Sequence, residues 1–145
     1  DTGEPSMDIR EWSFRQSASY YHCLNEEYIL ISDKFTVAEG YRMGKELLTK
    51  KELPTALCVS SDTLAVGVVQ ALNEAGIQIP DRVALFSIND VNIAKYLSPP
   101  LTTIHIDIPC ICETALELLQ SRVLHGSRVT KSVFVNGIPV FRKSC

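Results

Sequence analysis

Short unbroken apolar runs alternate along this chain with stretches in which apolar residues recur every three or four positions, the patterns of buried strands and amphipathic helices. Residues 27–32 (EYILIS) predict a first strand. The stretch FTVAEGYRMGKELLTK then predicts a helix, with Thr36 and Glu39 spaced as a capping box and Val37, Tyr41, Leu47 and Leu48 on an apolar stripe. Residues 55–59 (TALCV) predict a second strand, followed by SDTLAVGVVQALNEAG, which carries a polar cap, apolar Leu64, Ala65, Val68 and Leu72, and a stop at Gly76. Residues 81–88 (DRVALFSI) predict a third strand, and a short helical segment runs from there to the break at Pro99 and Pro100.

Continuous apolar strands alternating with helices predict an α/β domain with a three-layer, doubly wound parallel sheet and right-handed crossovers. In such sheets ligands gather outside the carboxyl ends of the strands. Three loops fall on that rim: Asp33 to Phe35 after the first strand, Ser60 to Asp62 after the second, and Asn89 with Asp90 after the third. Each has a plainer reading. Ser61 or Asp62 serves equally as the cap of the next helix, Asp90 as the cap of the segment that follows it, and Phe35 as a hydrophobic staple. Asn89 is harder to explain away, because a residue able to cap already follows it.

After Pro100 the organisation changes. LTTIHID predicts an extended crossing segment, and IPCICETALELLQSRVLHG a helix with Pro109 near its start, an apolar stripe of Ile111, Ala115, Leu118 and Leu119, and Gly126 as its stop. Two short apolar stretches, SVFVN and IPVFRKS, follow on either side of Asn136 and Gly137.

With 145 residues, 46% of them apolar, the chain can build one core of ordinary domain size. No run approaches the roughly 20 apolar residues of a membrane span, and the opening DTGEPSMDIR is unlike a signal peptide. The net charge is −3 and basic residues are scattered, so the footprint of a nucleic-acid surface is missing; any contact with DNA belongs to other residues. An odd count of 5 cysteines favours a reducing, cytoplasmic setting, and Cys110 with Cys112 lacks the spacing and the partners of a metal or redox pair. No nucleophile elbow, dinucleotide fingerprint, P-loop or metal-ligand cluster is found, and His22, His105 and His125 lack evident acid partners. These features predict a protein that is not an enzyme and uses neither cofactor nor metal.

The block PTALCVSSDTLAVGVVQALNEAGIQIPDRVALFSINDVNIAKYLSPPLTTIHID, with Pro54, Asp62, Gly67, Leu72, Gly76, Pro80, Asp81, Asp90, Pro100 and Leu101 to Thr103 in place, resembles the signature of the LacI/GalR family of bacterial transcriptional repressors, in its effector-binding domain. The closing FRKS is similar to that family's final Arg-x-Ser, and Arg10 with Phe14 resembles its R-x-x-G-F helix start, with Ser13 in place of the glycine. The resemblance covers essentially the whole chain. It implies a periplasmic-binding-protein-like fold of type I, of which this chain would be mainly the second of two subdomains: residues 1–103 that subdomain without its first strand, 104–135 a crossing segment, helix and strand completing the first, and 136–145 a return strand. The DNA-binding headpiece and hinge would lie outside it. The strands near Ile29 and Leu57 would then keep an exposed edge, and the helix from Pro109 would face the missing subdomain.

Effector contacts carried over by the resemblance are Arg10, whose fork of donors suits a hydroxyl or carboxylate, Phe35, an aromatic for the flat face of the effector, and Asn89, at the position of the family's usual ligand-binding aspartate. An amide both donates and accepts, so Asn89 satisfies a hydroxyl in either sense without burying a charge. Ser61 stands where some members have a sugar-binding asparagine, and Ile106 where some have a glutamine. Asp62 and Asp90 support the site or cap helices. The implied effector is a sugar or sugar-like metabolite, with a galactoside suggested by the general likeness of DIRE and SIND to galactose-type regulators.

The implied mechanism is linkage, in which effector closure shifts operator affinity with a coupling of roughly 1–3 kcal/mol. The implied assembly is a homodimer, for which Val37, Tyr41, Val66, Val69, Tyr96 and Leu97 are the interface candidates, a core role being the alternative for each. The rival reading is a periplasmic sugar-binding transport protein, which shares fold and cleft.

Overall fold

The computed structural model describes residues 8–126 and 129–145, so the reading made of the first seven residues lies outside the described part, as does the side chain of His125. Four strands form one sheet: β1 (Ala56–Cys58), β2 (Ala84–Asn89), β3 (Thr102–His105) and β4 (Ile138–Val140), in that spatial order. The first three run parallel, with Leu57 beside Leu85 and Phe86 beside Thr102, as the α/β pattern predicts. IPVFRKS joins the same sheet through β4, antiparallel to β3 with Val140 beside Thr103.

Four helices accompany the sheet: α1 (Ile9–Tyr20), α2 (Val37–Leu47), α3 (Asp62–Glu74) and α4 (Ile108–His125). Thr36 caps α2, its hydroxyl accepting the Glu39 N–H at 3.2 Å, as the capping spacing predicts. α3 lies between α2 and the sheet and buries Leu64, Ala65, Val68, Val69 and Leu72 in the core with Val83, Leu85, Ala94 and Leu101. The two helices cross with their backbones in contact. A Cβ on Gly67 would stand 2.0 Å from the Val37 carbonyl oxygen, and one on Gly40 2.0 Å from that of Leu64. Glycine is required at both crossings because the backbones themselves meet there.

Residues 27–32 do not form the expected strand. Asn25 caps a short 3-10 turn at Glu26–Tyr28, its side chain accepting the Glu27 N–H at 3.0 Å, and the chain continues extended but outside the sheet. The reason lies in the neighbouring strand. Ala84 donates to the Thr55 carbonyl and Val59 to the Phe86 carbonyl, each at 2.9 Å, so odd-numbered residues of this stretch face β2 and the backbone groups of Ala56 and Cys58 point out of the sheet edge. Among the described residues no strand pairs with that edge. A cavity of about 500 Å³ is lined both by that edge and by Ile29, Leu30 and Ile31, and no hydrogen-bonded ladder joins the two.

Of the two helical layers expected, that of α3 and α2 is packed. Neither α1 nor α4 packs extensively on a strand. On α4 the predicted stripe is outside this core, with Ile111 and Leu119 exposed. The segment predicted as a short helix is a 3-10 helix at Asn92–Tyr96. The last residues close the lower end: Ser144 Oγ donates to the Leu85 carbonyl at 2.6 Å and accepts the Thr102 N–H at 2.8 Å, while the Leu85 N–H donates to the Ser144 carbonyl at 2.7 Å.

Candidate functional site

The carboxyl ends of β1 and β2 lie side by side, because parallel pairing of Cys58 with Phe86 brings Ser60 level with Ile88, one residue before Asn89. Asn89 and Asp90 both have positive φ, 119° and 56°. Asn and Asp are the residues other than glycine that most readily accept such a backbone, and strain of this kind concentrates where a tip must be held in one place.

The tip is held from behind by two carboxylates. Asp62 is fully buried at the start of α3, and its oxygens accept the Thr103 hydroxyl at 2.7 Å, the Val91 N–H at 2.8 Å and the Ser87 hydroxyl. Asp90 receives the Arg142 guanidinium on Oδ1 at 2.6 Å and faces His105 Nδ1 from Oδ2 at 3.2 Å, while its N–H donates to Thr103 Oγ1 at 3.3 Å. Thr103 therefore joins the Asp62 carboxylate to the Asp90 backbone. Both act as support for the tip, and neither is a cap: Ser61 caps α3 and Val91 precedes the 3-10 helix without a side-chain cap. His105, read as lacking an acid partner, has one in Asp90.

Arg10 sits in the first turn of α1 and reaches the same end of the sheet. Its Nη1 donates to the Ser60 carbonyl at 3.2 Å, its Nε and Nη2 to the two oxygens of Asp8 at 3.0 and 2.7 Å, and its guanidinium lies over the Phe35 ring, 5.2 Å from the centroid. Arg10 and Phe35 are thus in direct contact, both lining the cavity with Ser60 and Ile88. One face of the Phe35 ring is covered by Arg10, and the residue as a whole is exposed. Asp8 also caps α1, accepting the Arg10 N–H at 2.7 Å. The hydrogen bonds from Arg10 hold its carboxyl down at about 2, and Asp8 in turn raises the pKa of Arg10. Cys58 lines the same cavity, and the protein atoms crowded around its thiol push its pKa up to about 11 although the residue is exposed at the sheet edge.

Ser61 is 5% exposed and its hydroxyl accepts the Thr63 N–H at 3.3 Å, so it fills the helix-cap role that its plainer reading gave it. Val69 is 2% exposed and belongs to the core, because α3 is covered by α2 and by the sheet and buries a wider arc than one stripe; it is no interface residue. Among the other interface candidates Val37 and Tyr96 are exposed, Tyr41 and Val66 are half-buried, and Leu97 packs partly against the core. Asp8, Ser87, Thr103 and Arg142 make contacts at this end of the sheet to which the sequence reading gave no role, although Thr103 and Arg142 lie within the quoted motifs. For Asp8 a signal existed, since Asp two positions before the arginine is an N-cap pattern.

No metal-binding group of His, Cys, Asp and Glu is present among the described residues, and no described helix is long and apolar enough to cross a membrane.

The family model for the periplasmic binding protein-like domain matches residues 1–145. The transcriptional regulator GanR of Bacillus subtilis (strain 168) is 43% identical over 99% of this chain and 44% of its own length, and the regulator GalR of Lacticaseibacillus casei 36% identical over 97% and 43%. The chain therefore spans less than half the length of these two curated relatives. A solved LacI family regulator from Enterococcus faecium with bound ribose superposes with a TM-score of 0.80 at 26% identity, over 93% of this chain and 50% of that one. The chain belongs to the periplasmic-binding-protein-like domain family, and within it to the LacI/GalR-type transcriptional regulators, whose effector-binding domain it matches.

Proposed function

We propose that this chain is the effector-binding and dimerisation part of a LacI-type DNA-binding repressor, acting in the cytoplasm and responding to a sugar or sugar-like metabolite, with galactosides the first class to test. The observation that carries this reading is the orientation of Arg10 by Asp8, the Ser60 carbonyl and the Phe35 ring at the end of the sheet where Ser60 lies level with Ile88, one residue before Asn89. An orienting clamp of this kind lowers the ordering cost of binding. Arg10 donates to ligand oxygens, the exposed Phe35 ring covers an apolar ring face, and the Asn89 amide pairs with a hydroxyl in either sense. Asp62, Asp90 and Thr103 keep the tip in place. No covalent chemistry is needed.

In this reading residues 1–103 form one jaw of the clamp, 104–135 contribute to the other, and 136–145 return to the first. Effector closure shifts the preference of a homodimer for operator DNA, which is touched by a headpiece outside these residues. Val37 and Tyr96 are the exposed positions through which two copies would meet. The names of the relatives GanR and GalR, and the ribose in the Enterococcus faecium structure, favour this reading over a transport protein. The test is a thermal-shift screen of monosaccharides and disaccharides on the full-length protein. A stabilising sugar whose effect disappears in Arg10→Ala supports the reading; a full panel without a hit contradicts it.

A further inference from the structure

We infer that Asp8 is a specificity-determining residue of this cleft: by neutralising Arg10 it makes the site select an uncharged polyhydroxyl ring over an anionic sugar derivative. The inference rests on the effector reading above and extends it to the charge class of the ligand.

Arginine carries five N–H donors. In Arg10 one on Nε and one on Nη2 go to Asp8, and one on Nη1 goes to the Ser60 carbonyl. What remains is one donor on each terminal nitrogen, enough to serve neighbouring hydroxyls. The positive charge, however, is already matched by a carboxylate. Asp8 Oδ2 accepts from Arg10 Nη2 at 2.7 Å and keeps room for a second hydrogen bond, so a ligand hydroxyl can donate to Asp8 while another accepts from Arg10. A phosphate or carboxylate has no proton to donate there and would meet the Asp8 charge directly.

Two further arginines are already committed, and Lys34, next to Phe35 in sequence, does not line the cavity. Arg15 is held by Glu11 at 2.8 Å and by Glu26, and Arg142 by Asp90 at 2.6 Å. Glu11 and Asp33 line the same cavity as Asp8 and Arg10, so its lining carries three carboxylates to one guanidinium. Withdrawing an anion from water into such a site costs free energy that no unmatched cation of the cavity lining repays.

Calorimetry on the full-length protein with galactose and ribose, against galactose 6-phosphate and ribose 5-phosphate, tests this. Each neutral sugar that binds is expected to bind at least about tenfold tighter than its phosphate. Asp8→Asn keeps an equally good helix cap and the shape of the side chain while removing its charge, and is expected to narrow that ratio by at least about tenfold. Glu46→Gln removes a carboxylate of the same sign that touches Arg42 on α2, outside the cavity lining, and is expected to leave the ratio unchanged. A phosphate that binds the unmodified protein as tightly as its parent sugar overturns the inference while leaving the effector site standing. An unchanged ratio in Asp8→Asn, or an equal change in Glu46→Gln, overturns it too. Binding by neither class contradicts the effector reading itself and removes this inference with it.

Discussion

The Arg142 guanidinium donates to Asp90 Oδ1 at 2.6 Å and, through Nη1, to the Leu101 carbonyl at 2.8 Å, so a residue close to the end of the chain fastens the turn that carries Asn89. Both side chains of this ion pair are 18% exposed, which places it between a surface pair and a buried one. Arg142→Gln should destabilise the fold by about 1–3 kcal/mol, since it removes a charge-assisted bond and leaves Asp90 with His105 alone. Urea denaturation measures this, and Arg142→Lys should recover only part of it because one ammonium cannot reproduce the fork.

Asp62 is the buried counterpart of Asp90. Asp62→Ala leaves the Val91 N–H and the Ser87 and Thr103 hydroxyls without their shared acceptor, at about 1–3 kcal/mol for each group that finds no substitute. The expected result is a loss of about 3 kcal/mol or more in denaturant unfolding. Asp62→Asn, which keeps one acceptor oxygen, should fall between the alanine variant and the original.

The helix crossing separates two kinds of glycine. Gly67→Ala would drive a Cβ into backbone at 2.0 Å, and nothing there is a side chain able to swing away. Gly76 has φ +70° and open space around it, so Gly76→Ala meets only the backbone penalty, about 1 kcal/mol. Gly67→Ala should cost more than Gly76→Ala in a urea titration, at least about 2 kcal/mol, as overpacking of a rigid contact does.

Asp8 gives the clamp a pH signature. Its carboxyl is lowered from 3.8 to about 2 by Arg10, so the folded state favours the ionised form. The stabilising contribution is fully present above the unfolded value and is lost as pH falls from about 4 through 2. Trp12, exposed on α1 close to this pair, should report the release of the clamp in that window by fluorescence. Asp8→Asn should lack the transition.

Much of the architecture is legible in the pattern because periodicity reports burial. The strands expected at 55–59 and 81–88 and the helix expected between them appear as Ala56–Cys58, Ala84–Asn89 and Asp62–Glu74, since each has its partner within this chain. The stretch at 27–32 misleads for the opposite reason: its composition is that of a strand, but a strand exists only beside a ladder partner, and no ladder joins it to β1. At the site, Asn89 and Asp90 stand out because an apolar run ends abruptly in two polar residues. Arg142 does not, because it lies 52 positions from Asp90 and nothing local marks the pairing. Ser61 and Asp62 are adjacent and equally able to cap; only packing decides that the serine takes the cap and the aspartate turns inward to Ser87 and Thr103.

The central claim, that Arg10, Phe35 and Asn89 form one wall of an effector cleft, is tested most directly by amide and arginine Nε chemical-shift mapping of the full-length protein during titration with galactose. The account predicts that the largest saturable shifts fall on Arg10, Phe35 and Asn89. Saturable shifts that cluster elsewhere, for instance around Asn73 and Pro99 at the far end of α3, while these three stay fixed, would contradict it.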